Sequence, residues 1–109
     1  MTPILAALIA LAAPAAAEDA PLGLSLAYAC DGGARLKVAY LNPKDGPSLA
    51  VVDWEGALVP MAAGPAASGV RYEAYAGGLV WWSKGPEGTL YRTDGTEDEV
   101  VLGGCREAD

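Results

Sequence analysis

Two side chains in this sequence have the types and the placing to meet a partner's charged groups together: the hydroxyl of Ser68 and the ammonium of Lys84. Between them lies a stretch that reads as a β-hairpin, Val70-Arg71-Tyr72-Glu73-Ala74-Tyr75-Ala76 and Leu79-Val80-Trp81-Trp82-Ser83 joined at Gly77-Gly78. Its two arms are rich in β-branched and aromatic residues, and Gly-Gly supplies the positive φ values of a tight two-residue turn. Folding the chain there sets Tyr72 opposite Ser83 and Arg71 opposite Lys84. The antiparallel arms then carry the hydroxyl and the ammonium to the same end.

Three chemistries are open to such a pair. Serine before glycine is common in turns, and a lysine ending a strand is usually solvated, so the two can simply face water. A Ser–Lys hydrolase dyad needs a lysine buried beside the nucleophile and an oxyanion hole; Lys84 instead opens a Lys-Gly-Pro turn. The third is recognition, in which a protruding hydroxyl and a cation are offered together to a cleft lined by carboxylates.

Other chemistry is scarce. The chain has no histidine, which excludes the familiar catalytic triads and, with only two cysteines, makes a zinc site or other metal centre unexpected. No cofactor is implied. Asp53 with Glu55 and the run Glu97-Asp98-Glu99 read as solvated turns rather than acid–base pairs. Gly32-Gly33 and Gly103-Gly104 lack the strand-to-helix setting of a phosphate cradle and read as turns.

The elements that must position these residues begin after a leader. Residues 1–17 carry no charged side chain and end in Pro14-Ala15-Ala16-Ala17, a small-residue cleavage site followed by Glu18-Asp19. The apolar run is too short for a transmembrane helix. A signal peptide over 1–17, cleavage after Ala17 and a single mature domain over 18–109 are expected. No cysteine follows the site to take a lipid, so no membrane anchor is expected. All charges lie in the mature part, and the net charge is −7. An acidic surface disfavours nucleic acid and favours a basic partner, although solubility alone also explains it. In an exported chain Cys30 and Cys105 most simply form one disulfide, tying the first strand to the last.

Turn signals recur at Asp31-Gly32-Gly33, Asn42-Pro43, Glu55-Gly56, Gly64-Pro65, Gly77-Gly78, Lys84-Gly85-Pro86 and Asp94-Gly95. The strand-like runs between them are Leu22–Cys30, Ala34–Leu41, Ser48–Trp54, Ala57–Met61, Val70–Ala76, Leu79–Ser83, Thr89–Thr93 and Glu99–Leu102. Spacing of about 8–12 residues is the pattern of an all-β sandwich or small barrel. Eight short strands suggest an all-β fold, a small antiparallel β-barrel with one disulfide. Leu22, Leu24, Leu26 and Tyr28 share a face, as do Leu36, Val38 and Tyr40. In the hairpin Val70, Tyr72, Ala74, Leu79 and Trp81 form the inner face, and Arg71, Glu73, Trp82 and Lys84 the outer one.

The segments Ala67-Ser68-Gly69-Val70-Arg71-Tyr72 and Val80-Trp81-Trp82-Ser83-Lys84-Gly85 together resemble the paired signature of the MliC/PliC family, bacterial inhibitors of c-type lysozyme. The resemblance continues through Tyr28-Ala29-Cys30, Leu36–Asn42 and the closing Val101-Leu102-Gly103-Gly104-Cys105, and so covers nearly all of the mature chain. It implies an eight-stranded antiparallel barrel, a disulfide between Cys30 and Cys105, and a periplasmic, non-enzymatic inhibitor acting as a monomer or weak dimer. It also implies that the Ser68 loop and the Lys84 turn enter the lysozyme cleft and meet its two catalytic carboxylates. Gly69 and Gly85 would keep the adjacent backbone slim, and Tyr72 matches the motif tyrosine, read as packing the loop base. The chain departs from the family at Pro86, where an acidic or polar residue is more usual and where proline stiffens the turn, and at Gly88, where alanine is usual. The alternative is a small-ligand-binding or envelope-stabilising barrel without inhibitory activity, with Trp81 or Tyr72 lining its interior.

Overall fold

The computed structural model describes residues 23–108; the expected leader, residues 1–17, lies outside them. Alternating apolar and polar residues, interrupted by glycine turns, fold into eight strands: β1 (Gly23–Ala29), β2 (Arg35–Leu41), β3 (Leu49–Trp54), β4 (Ala57–Gly64), β5 (Val70–Ala74), β6 (Leu79–Lys84), β7 (Glu87–Thr93) and β8 (Asp98–Ala108). Each strand pairs antiparallel with the next, and β8 returns to β1, closing a barrel. Closure is partial along β1, because β8 covers only Ala27 to Ala29. Leu24, expected inside, is accordingly half exposed, whereas Tyr28, Leu36 and Val38 on the same alternation are buried.

The interior is filled by side chains, as expected for a barrel of about eight strands. Trp81, Tyr28, Met61, Leu90, Val38 and Val52 are fully buried there. Trp81 meets Tyr28 edge-on, with centroids 5.0 Å apart at 68°, a favoured aromatic geometry. Its indole N–H donates to the Tyr40 hydroxyl at 2.7 Å, and the Tyr28 and Tyr40 hydroxyls are 2.7 Å apart. The polar atoms of three aromatic rings thus satisfy one another, as burial requires. Burial pushes the Tyr28 and Tyr40 hydroxyls up from their ordinary pKa and keeps them protonated.

The buried indole also accounts for Gly88. A Cβ at that position would run into the ring carbons of Trp81 and lie 3.0 Å from the Trp82 carbonyl oxygen. Gly88 is therefore fitted to the tryptophan beneath it.

Two expectations are corrected. β5 ends at Ala74, and the hairpin turns through Tyr75–Gly78, with the Gly77 N–H donating to the Ala74 carbonyl at 2.9 Å. The loop has four residues rather than two, so Tyr72 lies opposite Trp81 and Arg71 opposite Trp82. The slip is of two residues, and side chains alternate with period two, so the inner and outer faces are unchanged. Gly103-Gly104 is not a turn but the middle of β8, which runs eleven residues. Gly104 has φ +61, and its missing Cβ leaves room for the Asp31 carboxylate. A strand interrupted by one left-handed glycine bends without ending.

The bend sets Cys105 inward, where it forms a disulfide with Cys30 across a sequence separation of 75. A loop of that length corresponds to about 4 kcal/mol in the chain-entropy account. On the outside of the barrel Arg71 bonds the Asp98 carboxylate at 2.7 and 3.4 Å and the Glu73 carboxylate at 2.9 Å, linking β5 to β8. Val80, which points outward from β6, is buried at the hollow that Arg71, Glu73 and Thr93 line.

Two predictions follow from these contacts. Gly88→Ala should lower unfolding stability in urea by about 1–3 kcal/mol, because a packed ring must move; an unchanged midpoint would show that Trp81 has slack. The Arg71 guanidinium holds Asp98 below the usual carboxylate range. The backbone N–H of Glu97, that of Thr96 and the Thr96 hydroxyl bring Asp94 down to about 2. Both groups are depressed by folding, so their contribution is present above the unfolded carboxylate pKa of about 4 and lost as pH falls through the folded values. The melting temperature should be level down to about pH 5 and fall most steeply between about pH 4 and 2. Asp98→Asn should flatten that fall in a thermal scan series.

Candidate functional site

In an antiparallel barrel alternate connections open at the same end. The β4–β5 loop (Pro65–Gly69), the β6–β7 turn (Gly85-Pro86) and the β2–β3 loop (Asn42–Ser48) therefore share one end of the molecule. β5 and β6 pair from Val70–Ser83 onward, which leaves Ser68 and Lys84 just beyond the open end of the hairpin. Both are exposed, as are Gly69 and Gly85.

The β6–β7 turn is a two-residue hairpin with Lys84 paired to Glu87. Gly85 has φ +57, the conformation that a type II′ turn requires at its first central position. Pro86 takes the second, whose N–H such a turn does not use, and its carbonyl accepts the Glu107 N–H at 2.9 Å. The departure at Pro86 thus removes no ladder bond. Glu87, across the turn from Lys84, is engaged by Arg106. Among the described residues Lys84 forms no ion pair. Its ammonium is offered outward.

The β4–β5 loop is held from β6. The indole N–H of Trp82 donates to the Ser68 carbonyl at 3.0 Å. Gly69 has φ +66, and a Cβ there would lie 2.6 Å from the Ser83 carbonyl oxygen, 3.0 Å from Trp82 Nε1 and 3.1 Å from Trp82 Cε2. Only glycine accepts both that backbone angle and that approach. Tyr72 is nearly buried, with its ring 5.7 Å from that of Tyr40. It packs inside the barrel at the base of the loop, and burial raises its hydroxyl pKa.

The structure thus brings Ser68, Gly69, Lys84 and Gly85 together on one exposed rim and puts Tyr72 beneath them. Sequence reasoning placed Trp82 on the outer face without a partner, and it left the Asn42–Ser48 loop out of the site. The loop's position was available from the strand count, since the connections of an antiparallel meander alternate between ends.

A family model described as "Membrane-bound lysozyme-inhibitor of c-type lysozyme" (MliC) matches residues 28–99, well over half the chain. The chain belongs to the MliC family. Relatives named membrane-bound lysozyme inhibitor of C-type lysozyme include one from Cupriavidus necator, 44% identical over 63 residues, covering 58% of this chain and 48% of that protein. One from Pseudomonas aeruginosa is 41% identical over 68 residues, covering 62% and 51% respectively. The matched part thus spans about half the length of these relatives. Among solved structures, PliC of Salmonella typhimurium, a periplasmic lysozyme inhibitor of C-type lysozyme, superposes with a TM-score of 0.70 at 27% identity, covering 80% of this chain and 99% of that one. Pseudomonas aeruginosa MliC, crystallised in complex with hen egg white lysozyme, superposes with a TM-score of 0.64 at 36% identity, covering 94% and 98%.

The MliC fold of this chain depends at the rim on Gly69. Gly69→Ala adds both a strained left-handed residue and a backbone clash, and should cost about 1–3 kcal/mol in urea unfolding. Wild-type stability in that variant would mean that the loop can leave Trp82 freely.

Proposed function

We propose that this protein is an exported inhibitor of c-type lysozyme that blocks the enzyme's cleft and performs no chemistry itself. The observation that carries this reading is the single rim that holds both the exposed Ser68 and an exposed Lys84 that, among the described residues, forms no ion pair. It is supported by membership of a family in which a Pseudomonas aeruginosa member is crystallised with hen egg white lysozyme.

The target's chemistry suits the pair. A retaining glycosidase of the lysozyme type needs one carboxylic acid protonated and a second carboxylate ionised. An ammonium beside the ionised group competes for its charge, and a serine hydroxyl can hydrogen-bond either form. Gly69 and Gly85 flank these two residues with no side chain to obstruct entry, and Tyr72 supports the loop from below. The net charge of −7 favours encounter with a basic enzyme. In this reading the leader is cleaved after Ala17 and the mature domain works in the periplasm. The ligand-binding barrel gains no support from the interior, where Trp81 is wholly buried among packed side chains.

The test is lysis of a lysozyme-sensitive cell suspension by hen egg white lysozyme, with and without oxidised residues 18–109, beside a g-type lysozyme as control. Dose-dependent protection from the c-type enzyme alone is expected. Ser68→Ala and Lys84→Ala should each weaken inhibition by about 1–3 kcal/mol. Full inhibition by both variants would overturn the assignment of these residues, and absence of protection by the folded, oxidised chain would overturn the function.

A further inference from the structure

We infer that Trp82 is a positioning residue for inhibition, holding the Ser68 hydroxyl at a set place relative to the Lys84 ammonium. This rests on the reading of Ser68 and Lys84 as the contacts to lysozyme.

The β4–β5 loop has little to hold itself. All five of its residues, Pro65 to Gly69, are exposed, and among the described residues it makes no turn hydrogen bond of its own between backbone groups. The bond that reaches it comes from the Trp82 indole N–H to the carbonyl of Ser68 itself, at 3.0 Å. Holding that carbonyl restrains the peptide that follows Ser68 and the Cα attached to it, so that ψ of Ser68 and the staggered χ1 choices are what remain to place the hydroxyl. The indole also fills the space that Gly69 leaves open, its Nε1 and Cε2 lying 3.0 and 3.1 Å from where a Cβ would stand.

The same residue fixes the second contact. Trp82 and Lys84 are two apart on β6, so their side chains leave the strand on the same face. One end of the clamp is thus the Ser68 peptide and the other is the strand that ends at Lys84. Trp82 sets the separation of hydroxyl and cation, a distance that a rigid pair of carboxylates in a cleft would select. Nothing in this requires the indole to touch the enzyme.

The experiment uses the oxidised mature chain, hen egg white lysozyme and the lysis assay, with Trp82→Phe, Ser68→Ala, Lys84→Ala and the two doubles that carry Trp82→Phe. Phenylalanine keeps an aromatic ring on this face of β6 and removes the N–H donor. Trp82→Phe alone should weaken inhibition about three- to tenfold, the range of one lost hydrogen bond. Added to Ser68→Ala it should change inhibition by less than about twofold, because the hydroxyl it positions is already gone. Added to Lys84→Ala it should still weaken inhibition by more than about twofold, because the Ser68 hydroxyl it places is still present. An unchanged single variant overturns the inference. So does an equal loss on the Ser68→Ala background, which would make Trp82 a direct contact. A Ser68→Ala variant that inhibits normally would instead sink the underlying reading of the site. Should Trp82→Phe fail to fold, proton exchange at the indole nitrogen of the unaltered chain decides the matter. Exchange at least about tenfold slower than in a free indole is expected, and exchange at the free rate overturns the clamp.

Discussion

Everything at the working end of this molecule depends on the burial of one ring. Trp81 occupies the barrel interior, stacks edge-on against Tyr28 and gives its N–H to Tyr40. Because strand side chains alternate, an inward Trp81 forces Trp82 outward and Lys84 outward after it. The anchoring of β6 inside and the display of its groups outside are one constraint seen from two sides. The same ring dictates a glycine at position 88, the second residue of β7, which joins packing to the shape of the turn above.

Much of this was legible in the chain. Glycine turns at short intervals with β-branched and aromatic runs between them gave the eight strands, and the alternation of Tyr28, Leu36, Val38 and Trp81 gave the core. The pairing of Cys30 with Cys105 needed no more than their number and an exported setting. What misled was glycine read as punctuation. Gly77-Gly78 does lie in the turn, but the turn starts two residues earlier at Tyr75; Gly103-Gly104 marks a bend within a strand. Dipeptides of glycine announce positive φ without saying whether the chain reverses or only kinks.

At the candidate site the motif residues could be read, but not what holds them. Ser68 and Lys84 were visible as a hydroxyl and a cation carried to one end by a hairpin, and that conclusion survived a register slip because one strand slid past the other by a full pleat period. The hydrogen bond from Trp82 to the Ser68 carbonyl was not visible. It joins a strand side chain to a loop carbonyl fourteen residues away, and no local pattern encodes it. Gly69 carried a trace of it, as a glycine placed where a loop must pass close to something large.

The turn at Gly85-Pro86 carries a consequence for the thermodynamics of association. Its first residue sits in a conformation natural to glycine, its second has φ locked by the pyrrolidine ring, and the Pro86 carbonyl is tied to Glu107. The backbone beneath Lys84 is thus already ordered in the unbound chain. In the proposed complex with lysozyme, of the entropy that a binding loop ordinarily loses when it docks, little would remain to be lost beyond the rotamers of the lysine itself.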